Sequence, residues 1–290
     1  MDEYKVSELK KYIEKSELII INERLRIRLS NELLKKYNDG LYVNWISQIL
    51  ECIKKIDSLG IKYPAYANPI FYIYIVPDED FRELLNFPAS IKRNAGGKPV
   101  LSYDLDGFNE AYGISSSLLE NIKELDIMSF VNDIHELAHL VHNMFFYKTR
   151  LLSEGFAEVL PLYTLGYEDL FDEHREMLKL LNEEQILSAN QLIELADKNN
   201  FDTGAIIQDK SCSFNSSYVS SYLFVRGCLE IIERTFSMDK IQATQKFLEI
   251  VKQSTCNRQW LIYDIAEAIG IEKEELLNGK MMQIDVINGL

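Results

Sequence analysis

The sequence is poor in the residues that interrupt helices, with 6 prolines and 13 glycines in 290 residues. No internal repeat, low-complexity tract or Gly/Ser-rich linker divides it. Because proline and glycine are the strongest helix breakers, their scarcity favours a folded protein with much helix. Hydrophobic residues make up 47% of the chain, enough for the core of one large domain or two ordinary ones.

Cysteine is scarce as well as scattered. The 4 cysteines contain no C-x-x-C pair, the usual spacing of thiolate zinc sites and redox centres. Their positions also do not suggest the disulfide framework of a small secreted domain. We interpret Cys52, Cys212, Cys228 and Cys256 as ordinary free cysteines.

Basic residues are in deficit, with 31 Lys and Arg against 45 Asp and Glu and a formal net charge of -14. An extended surface for phosphate backbones is therefore not expected, which argues against nucleic acid as a partner. An acidic surface attracts cationic peptides more readily, although most of this charge is expected to form a solvated coat.

The start of the sequence lacks a long apolar run. Residues 1–5 are not a basic stretch that leads into an apolar one, and the apolar run at residues 18–21 is far too short to span a bilayer. We therefore expect a cytoplasmic protein that does not have a membrane as a partner.

Hydrophobic periodicity divides the chain into an N-terminal segment and a larger second region. Helical spacing recurs in three early stretches, residues 4–15, 18–37 and 42–59. These stretches predict an N-terminal helical segment over residues 1–60. The pattern changes near residue 60, and residues 61–290 are predicted to form the second domain.

A small sheet and then a long helical region are predicted within this second domain. Residues 68–117 form the sheet, with β-branched and aromatic strands over residues 69–76, 99–103 and 109–115. Helices follow within residues 127–165, and further helices are predicted over residues 172–290. The predicted fold class is α+β, a small mixed β-sheet followed by a mostly helical domain.

The run His135-Glu136-Leu137-Ala138-His139 has the clearest chemical meaning in the sequence. On a helix the two histidines lie one turn apart on one face, so they can bind one metal ion together. Glu136 lies beside them, where a carboxylate can take a proton from a metal-bound water. A degraded or purely structural metal site is the alternative interpretation of the same residues.

A catalytic zinc ion usually has three protein ligands and one water, so a third ligand is required. His142 lies about 10 Å from His135 along the helix axis, so it cannot share one ion with both histidines. Glu154 is the better choice, because a turn followed by an antiparallel helix would bring it back over the histidines. Glu158, one turn further, is placed to orient a ligand histidine through its second ring nitrogen.

These residues resemble the gluzincin zinc peptidases, and within them the alanyl and leucyl aminopeptidases. That family has a His-Glu-Leu-Ala-His helix and then an Asn-Glu-Gly-Phe-Ala segment, whose Glu is the third zinc ligand. Residues 153–157 read Ser-Glu-Gly-Phe-Ala and match all but the first position, although the interval from His139 to Glu154 is shorter here. The resemblance implies a thermolysin-like peptidase domain that binds one Zn²⁺ through His135, His139 and Glu154.

A looser match concerns substrate binding. Residues 107–114 resemble a strand of these aminopeptidases whose Glu binds the free amino group of the substrate. The resemblance implies substrate contacts from Glu110, Ala111, Tyr112 and Gly113, and this strand could also pair with an extended peptide as an added strand. Glu110 is equally well explained as an exposed residue of a strand.

A helix that begins near residue 217 resembles the one on which the family carries a tyrosine that supports the transition state. Tyr218 aligns best and would donate to the oxyanion. Tyr222, one turn further, is the alternative donor and would otherwise contact the substrate. The chain has 16 tyrosines, so packing is the ordinary explanation for either one.

The residues and the resemblance together predict zinc-dependent hydrolysis of a peptide or protein substrate, with Glu136 as general base. An aminopeptidase is slightly favoured, through the predicted amine contact of Glu110. Two alternatives stay open, a specialised endopeptidase whose N-terminal segment recognises one partner, and a non-catalytic peptide-binding protein. An intact Glu136 argues against the non-catalytic protein, because a structural zinc site needs no base.

Overall fold

The structure is a computed structural model that describes the chain in ranges separated by gaps. The described residues are 11–65, 67–77, 98–102, 109–116, 119, 127–145, 152–170, 176, 178–198, 216–253 and 258–290. The chain divides into two compact units, Met1–Met144 and Phe145–Leu290.

The first unit combines a five-stranded sheet with helices. Its elements in chain order are β1 (Ser16–Ile20), β2 (Leu25–Ser30), α1 (Asn31–Asn38), α2 (Val43–Ser58), β3 (Phe71–Val76), β4 (Lys98–Ser102), β5 (Asn109–Ser115) and α3 (Ile127–Phe145). Across the sheet the strands are ordered β1-β2-β3-β5-β4. β3 pairs in parallel with β2 and β5, whereas β1 and β4 pair antiparallel at the two ends, so the sheet is mixed.

β3 is the centre of this sheet, and all six of its residues are buried. A strand with neighbours on both sides and cover on both faces has no solvated side. Its sequence, Phe-Tyr-Ile-Tyr-Ile-Val, accordingly does not alternate between charged and apolar residues. The strands predicted over residues 69–76, 99–103 and 109–115 are confirmed as β3, β4 and β5 with small shifts at their ends.

The helix predicted over residues 18–37 is wrong for most of its length, because β1 and β2 occupy this part of the chain. In β2, Leu25, Ile27 and Leu29 are fully buried and alternate with two arginines, which is the period of a strand. Only α1 is helical, and it begins where the Ser30 side chain accepts a hydrogen bond from the Leu33 N–H. The prediction of an all-helical segment over residues 1–60 is corrected accordingly.

The predicted boundary near residue 60 also does not separate two units. β2 lies before this boundary and β3 after it, yet the two strands pair from Leu25 with Phe71 to Leu29 with Ile75. Residues on both sides of position 60 therefore belong to one sheet, and the division of the chain falls at residues 144 and 145 instead.

The second unit contains helices and no strand among its described residues. Its elements are α4 (Ser153–Val159), a π-helix (Leu160–Thr164), two 3₁₀-helices (Glu168–Leu170 and Glu183–Gln185), α5 (Ala189–Lys198), α6 (Ser216–Phe236), α7 (Lys240–Gln253), α8 (Arg258–Ile269), α9 (Lys273–Asn278) and α10 (Met281–Gly289). Residues 219–225 of α6 are all buried, so this helix has no solvated face there and forms the centre of the unit. α5 to α10 lie within residues 172–290, where the sequence predicts helices, and residues 172–175, 177, 199–215 and 254–257 of that range lie outside the described residues.

The described residues of the two units form a mixed α+β fold, as the sequence predicts. The helices predicted within residues 127–165 are found as α3, α4 and the π-helix in the described part of this range, and residues 146–151 lie outside it. None of the helices in the described ranges has the length and apolar character needed to cross a membrane.

Candidate metal centre

α3 places His135 and His139 beside the buried face of a regular helix. The buried face is formed by residues at helical spacing, Ile134, Leu137, Ala138 and Val141. Both imidazoles are half-buried, and their rings meet edge to face with centroids 4.8 Å apart. Their Nε2 atoms are 3.2 Å apart, close enough for both nitrogens to reach one ion.

Glu154 lies in the first turn of α4 and supplies the third possible ligand. Its side chain is half-buried, whereas its neighbours Ser153 and Gly155 are buried. One ligand atom from each of His135, His139 and Glu154 lies within 4.8 Å of the others. Within the described part of the chain, these residues are the only group of three or more His, Cys, Asp or Glu close enough to share a metal ion.

The types of donor and the spacing of the two histidine nitrogens fit a zinc ion. Zinc binds imidazole nitrogen at ~2.0–2.1 Å, so two such nitrogens on a tetrahedral ion lie about 3.4 Å apart. The 3.2 Å between the Nε2 atoms of His135 and His139 is close to this value. Two imidazoles and the Glu154 carboxylate would leave a fourth position for water, as catalytic zinc sites do.

Two further polar residues of α3 differ in exposure. His142 is 1% exposed and does not belong to the metal-binding group, as predicted from its distance along the helix. Glu136 is half-buried and follows His135 directly in the chain. A carboxylate therefore stands next to the first histidine of the group.

A buried hydrogen-bond cluster anchors α3 to α2. The side-chain amide of Gln48 donates to Asp133 Oδ2 at 2.5 Å and to Ser129 Oγ at 3.0 Å. Burial raises the pKa of Asp133 to about 7, although the hydrogen bond from Gln48 opposes the rise, and the charge of Glu136 adds to it. Gln48 thus attaches α3 to α2 at two positions that lie one helical turn apart.

The two predicted tyrosines of α6 have different surroundings. Tyr218 lies in the first turn of the helix and is half-buried. Tyr222 is 2% exposed, and its hydroxyl donates to Glu168 Oε1 at 2.6 Å and accepts from Arg226 Nη1 at 2.9 Å. Burial raises the pKa of Tyr222 above its usual range. Its hydroxyl is therefore bound inside the protein, and its predicted contact with substrate stays a prediction.

Arg226 is the centre of a buried charged cluster that sequence reasoning missed. Its guanidinium donates to Glu168 and, from Nε at 3.1 Å, to Glu230, and its side chain is 8% exposed. The guanidinium also lies over the ring of Tyr163, 4.7 Å from the centroid, and the Tyr163 hydroxyl donates to Glu233 at 2.6 Å. The sequence feature that could have indicated this cluster is Arg226 itself, a single arginine within the apolar part of α6.

β5 holds the residues predicted to contact the substrate through a strand. Tyr112 pairs with Ile73 of β3 on one side and with Pro99 of β4 on the other. Because β5 has hydrogen-bonded neighbours on both edges, the prediction that a peptide adds to it as a new strand is wrong. Tyr112 itself is 2% exposed, and the side chains of Glu110 and Ala111 lie outside the described part of the structure.

Two other predicted residues have defined positions. Glu158 lies one turn after Glu154 on α4 and is half-buried like it. Its role in orienting a ligand histidine stays a prediction. Gly113 is buried in β5, opposite Tyr74 of β3.

No protein-family model matches this chain, and no curated protein matches it either. The chemistry of the site therefore depends on the three residues of the metal-binding group and on Glu136.

Proposed function

We propose that the protein is a zinc-dependent peptidase of the gluzincin kind. The observation that carries the proposal is the group of His135, His139 and Glu154, whose ligand atoms lie within 4.8 Å of one another. Glu136 supports it, because a structural zinc site has no use for a base beside its ligands. Hydrolysis of peptide bonds is the function that this set of side chains supports best.

The roles of the residues follow from their chemistry. A zinc ion bound here would polarise the scissile carbonyl and lower the pKa of a water molecule toward ~7. His135, His139 and Glu154 are the residues that would hold the ion. Glu136 takes a proton from the attacking water and passes it to the leaving nitrogen, as base and then as acid.

Tyr218 is the proposed donor to the oxyanion. Of the two tyrosines on α6, Tyr222 already donates to Glu168 and accepts from Arg226. A donor has to point at the oxygen that gains charge in the transition state. Tyr222 is therefore the weaker candidate, and we propose Tyr218 because it aligns best with the tyrosine of the family that the sequence resembles.

Zinc content measured together with peptide turnover tests the proposed function. We expect the purified protein to bind one zinc ion and to cleave members of a peptide library. Glu136→Gln should keep the zinc and lower turnover by about 10²–10⁴-fold, the usual contribution of a general acid or base. Zinc binding without turnover of any peptide would favour the non-catalytic alternative, and an active Glu136→Gln protein would remove the proposed base.

Blocking the N-terminus of the substrate distinguishes an aminopeptidase from an endopeptidase. An aminopeptidase that binds the substrate amine through Glu110 should lose cleavage when the library peptides are acetylated. Equal cleavage of free and acetylated peptides would identify an endopeptidase and remove this role from Glu110.

A further inference from the structure

α4 and α6 are in direct backbone contact beside the proposed ligand Glu154. A Cβ atom added to Gly155 would overlap the carbonyl oxygen of Ser221 and lie 2.6 Å from its carbonyl carbon. It would also lie 2.8 Å from Cγ2 of Val225. Ordinary carbon contacts are about 3.5–4.0 Å, so a side chain at residue 155 would push the two helices apart.

Space, rather than backbone conformation, requires a glycine at this position. Gly155 lies inside a regular helix, where alanine is the better helix former. The opposing surface cannot yield easily, because Ser221 contributes backbone atoms and residues 219–225 of α6 are all buried. The glycine therefore sets how closely α4 approaches α6.

The chain that follows α4 is tied to α6 at a second point. Pro161 has no N–H to donate to the carbonyl of Ala157, so the α-helical pattern is interrupted there. Four residues later the Leu165 N–H bonds to the Leu160 carbonyl at 3.0 Å, which closes a π-helical turn. Within this turn Tyr163 lies under the guanidinium of Arg226. The chain thus contacts α6 at Gly155, before Pro161, and again at Tyr163, after it. Because of these two contacts, α4 has little freedom to relieve a clash by rotating.

We propose that Gly155 is a positioning residue for Glu154, which it holds at the metal by keeping α4 against α6. The inference rests on the proposed function, because it assumes that Glu154 is a ligand. A Cβ at residue 155 has to move from 2.6 Å to an ordinary contact, a shift of roughly 1 Å. Metal–ligand distances vary by only about 0.2 Å, so such a shift would weaken the bond from Glu154.

Zinc affinity in a set of glycine variants tests this role. We expect Gly155→Ala to bind zinc about 10–100-fold more weakly than the wild type in competition with a chelator, as when the support of a ligand is removed. Gly227→Ala is the matched control, because a Cβ there would lie 2.6 Å from Met282 Cγ and would crowd α6 against α10 instead. Its zinc affinity should stay within about twofold of the wild type, because the crowded neighbour belongs to α10 and not to α4.

A double-mutant cycle separates a positioning role from a general loss of stability. In a Glu154→Ala background, measured with a weaker chelator, Gly155→Ala should cause no further loss of zinc affinity. Equal losses in both backgrounds, or wild-type affinity in Gly155→Ala, would overturn the inference and leave the zinc site standing. A wild type that binds no zinc would overturn the proposed function together with the inference.

A second variant allows the same measurement if Gly155→Ala does not fold. In Gly155→Ala/Val225→Ala the contact with Val225 Cγ2 is removed, but the clash with the backbone of Ser221 stays. We expect the double variant to lose zinc affinity by the same factor and Val225→Ala alone to keep it, with circular dichroism as the check on folding. Wild-type affinity in the folded double variant would overturn the inference.

Discussion

The two helices that carry the proposed ligands are held by different chemistry. α3 is fixed by an uncharged donor, the amide of Gln48, which bonds to Asp133. α4 and the segment after it are fixed by the close helix contact at Gly155 and by the charged cluster around Arg226. A broken hydrogen bond lowers the free energy of unfolding by a modest amount, whereas a broken, mostly buried ion pair leaves a charge that water solvates poorly. Single substitutions should therefore disturb the surroundings of α4 more than those of α3.

Loss of Arg226 should have the largest effect on stability. Arg226→Met leaves the carboxylate of Glu168, which is 13% exposed, without its cation, and should lower the free energy of unfolding by about 3–5 kcal/mol. Urea denaturation measures the change. Arg234→Met is the matched control on the same helix, and because Arg234 is exposed its effect should stay within about 0.5 kcal/mol. Equal effects at the two positions would show that the cluster contributes no more than a surface pair.

Zinc should stabilise the protein by the next largest amount. At a free concentration of about a hundred times its Kd, zinc should raise the free energy of unfolding by about 2.7 kcal/mol, because it binds the folded state. The measurement is the melting temperature with zinc and with a chelator. Glu154→Ala should lose most of this shift, and an unchanged shift would mean that His135 and His139 bind the ion without help from α4.

Loss of the amide that anchors α3 should cost less than loss of Arg226. Gln48→Leu removes the donor to Asp133 and should lower the free energy of unfolding by about 1–3 kcal/mol. Part of the cost is offset, because Gln48 Oε1 is buried and has no hydrogen-bond partner among the residues that the structure describes. Ser47→Ala, at an exposed position on the same helix, serves as control. A loss greater than that of Arg226→Met would reverse the comparison between the two helices.

Tyr222→Phe should have the smallest effect of the four. The variant removes one hydroxyl between Glu168 and Arg226 and should cost about 1 kcal/mol in urea denaturation. Peptide turnover should change by no more than about twofold, because the hydroxyl is bound inside the protein. If Tyr222→Phe lowers turnover more than Tyr218→Phe does, the roles of the two tyrosines are exchanged.

The metal-binding group was predictable because most of its geometry is local. His135 and His139 need only a regular helix to lie side by side, and the apolar spacing around them indicates that helix. The prediction of Glu154 as the third ligand also required the motif at residues 153–157 and a turn before it. Its fine position was not predictable, because the contact of Gly155 with Ser221 depends on how two helices pack.

The parts that sequence reasoning missed depend on partners far along the chain. β1 is a strand because it pairs with β2, and the short alternation in β2 is readily absorbed into a helical pattern. Gln48 and Asp133 are 85 residues apart, and Arg226 and Glu168 are 58 residues apart. No local period links such residues, so only the folded chain shows that they are pairs.

The parallel pairing of β2 with β3 makes the first 60 residues part of the support for the histidine helix. Parallel neighbours require a crossover, which α1 and α2 supply, and α2 carries Gln48. A fragment that begins at residue 61 would leave a row of backbone N–H and C=O groups unpaired along β3 and Asp133 buried without its donor. We expect such a fragment to aggregate through this open edge, so the N-terminal segment cannot be removed as if it were a separate recognition module.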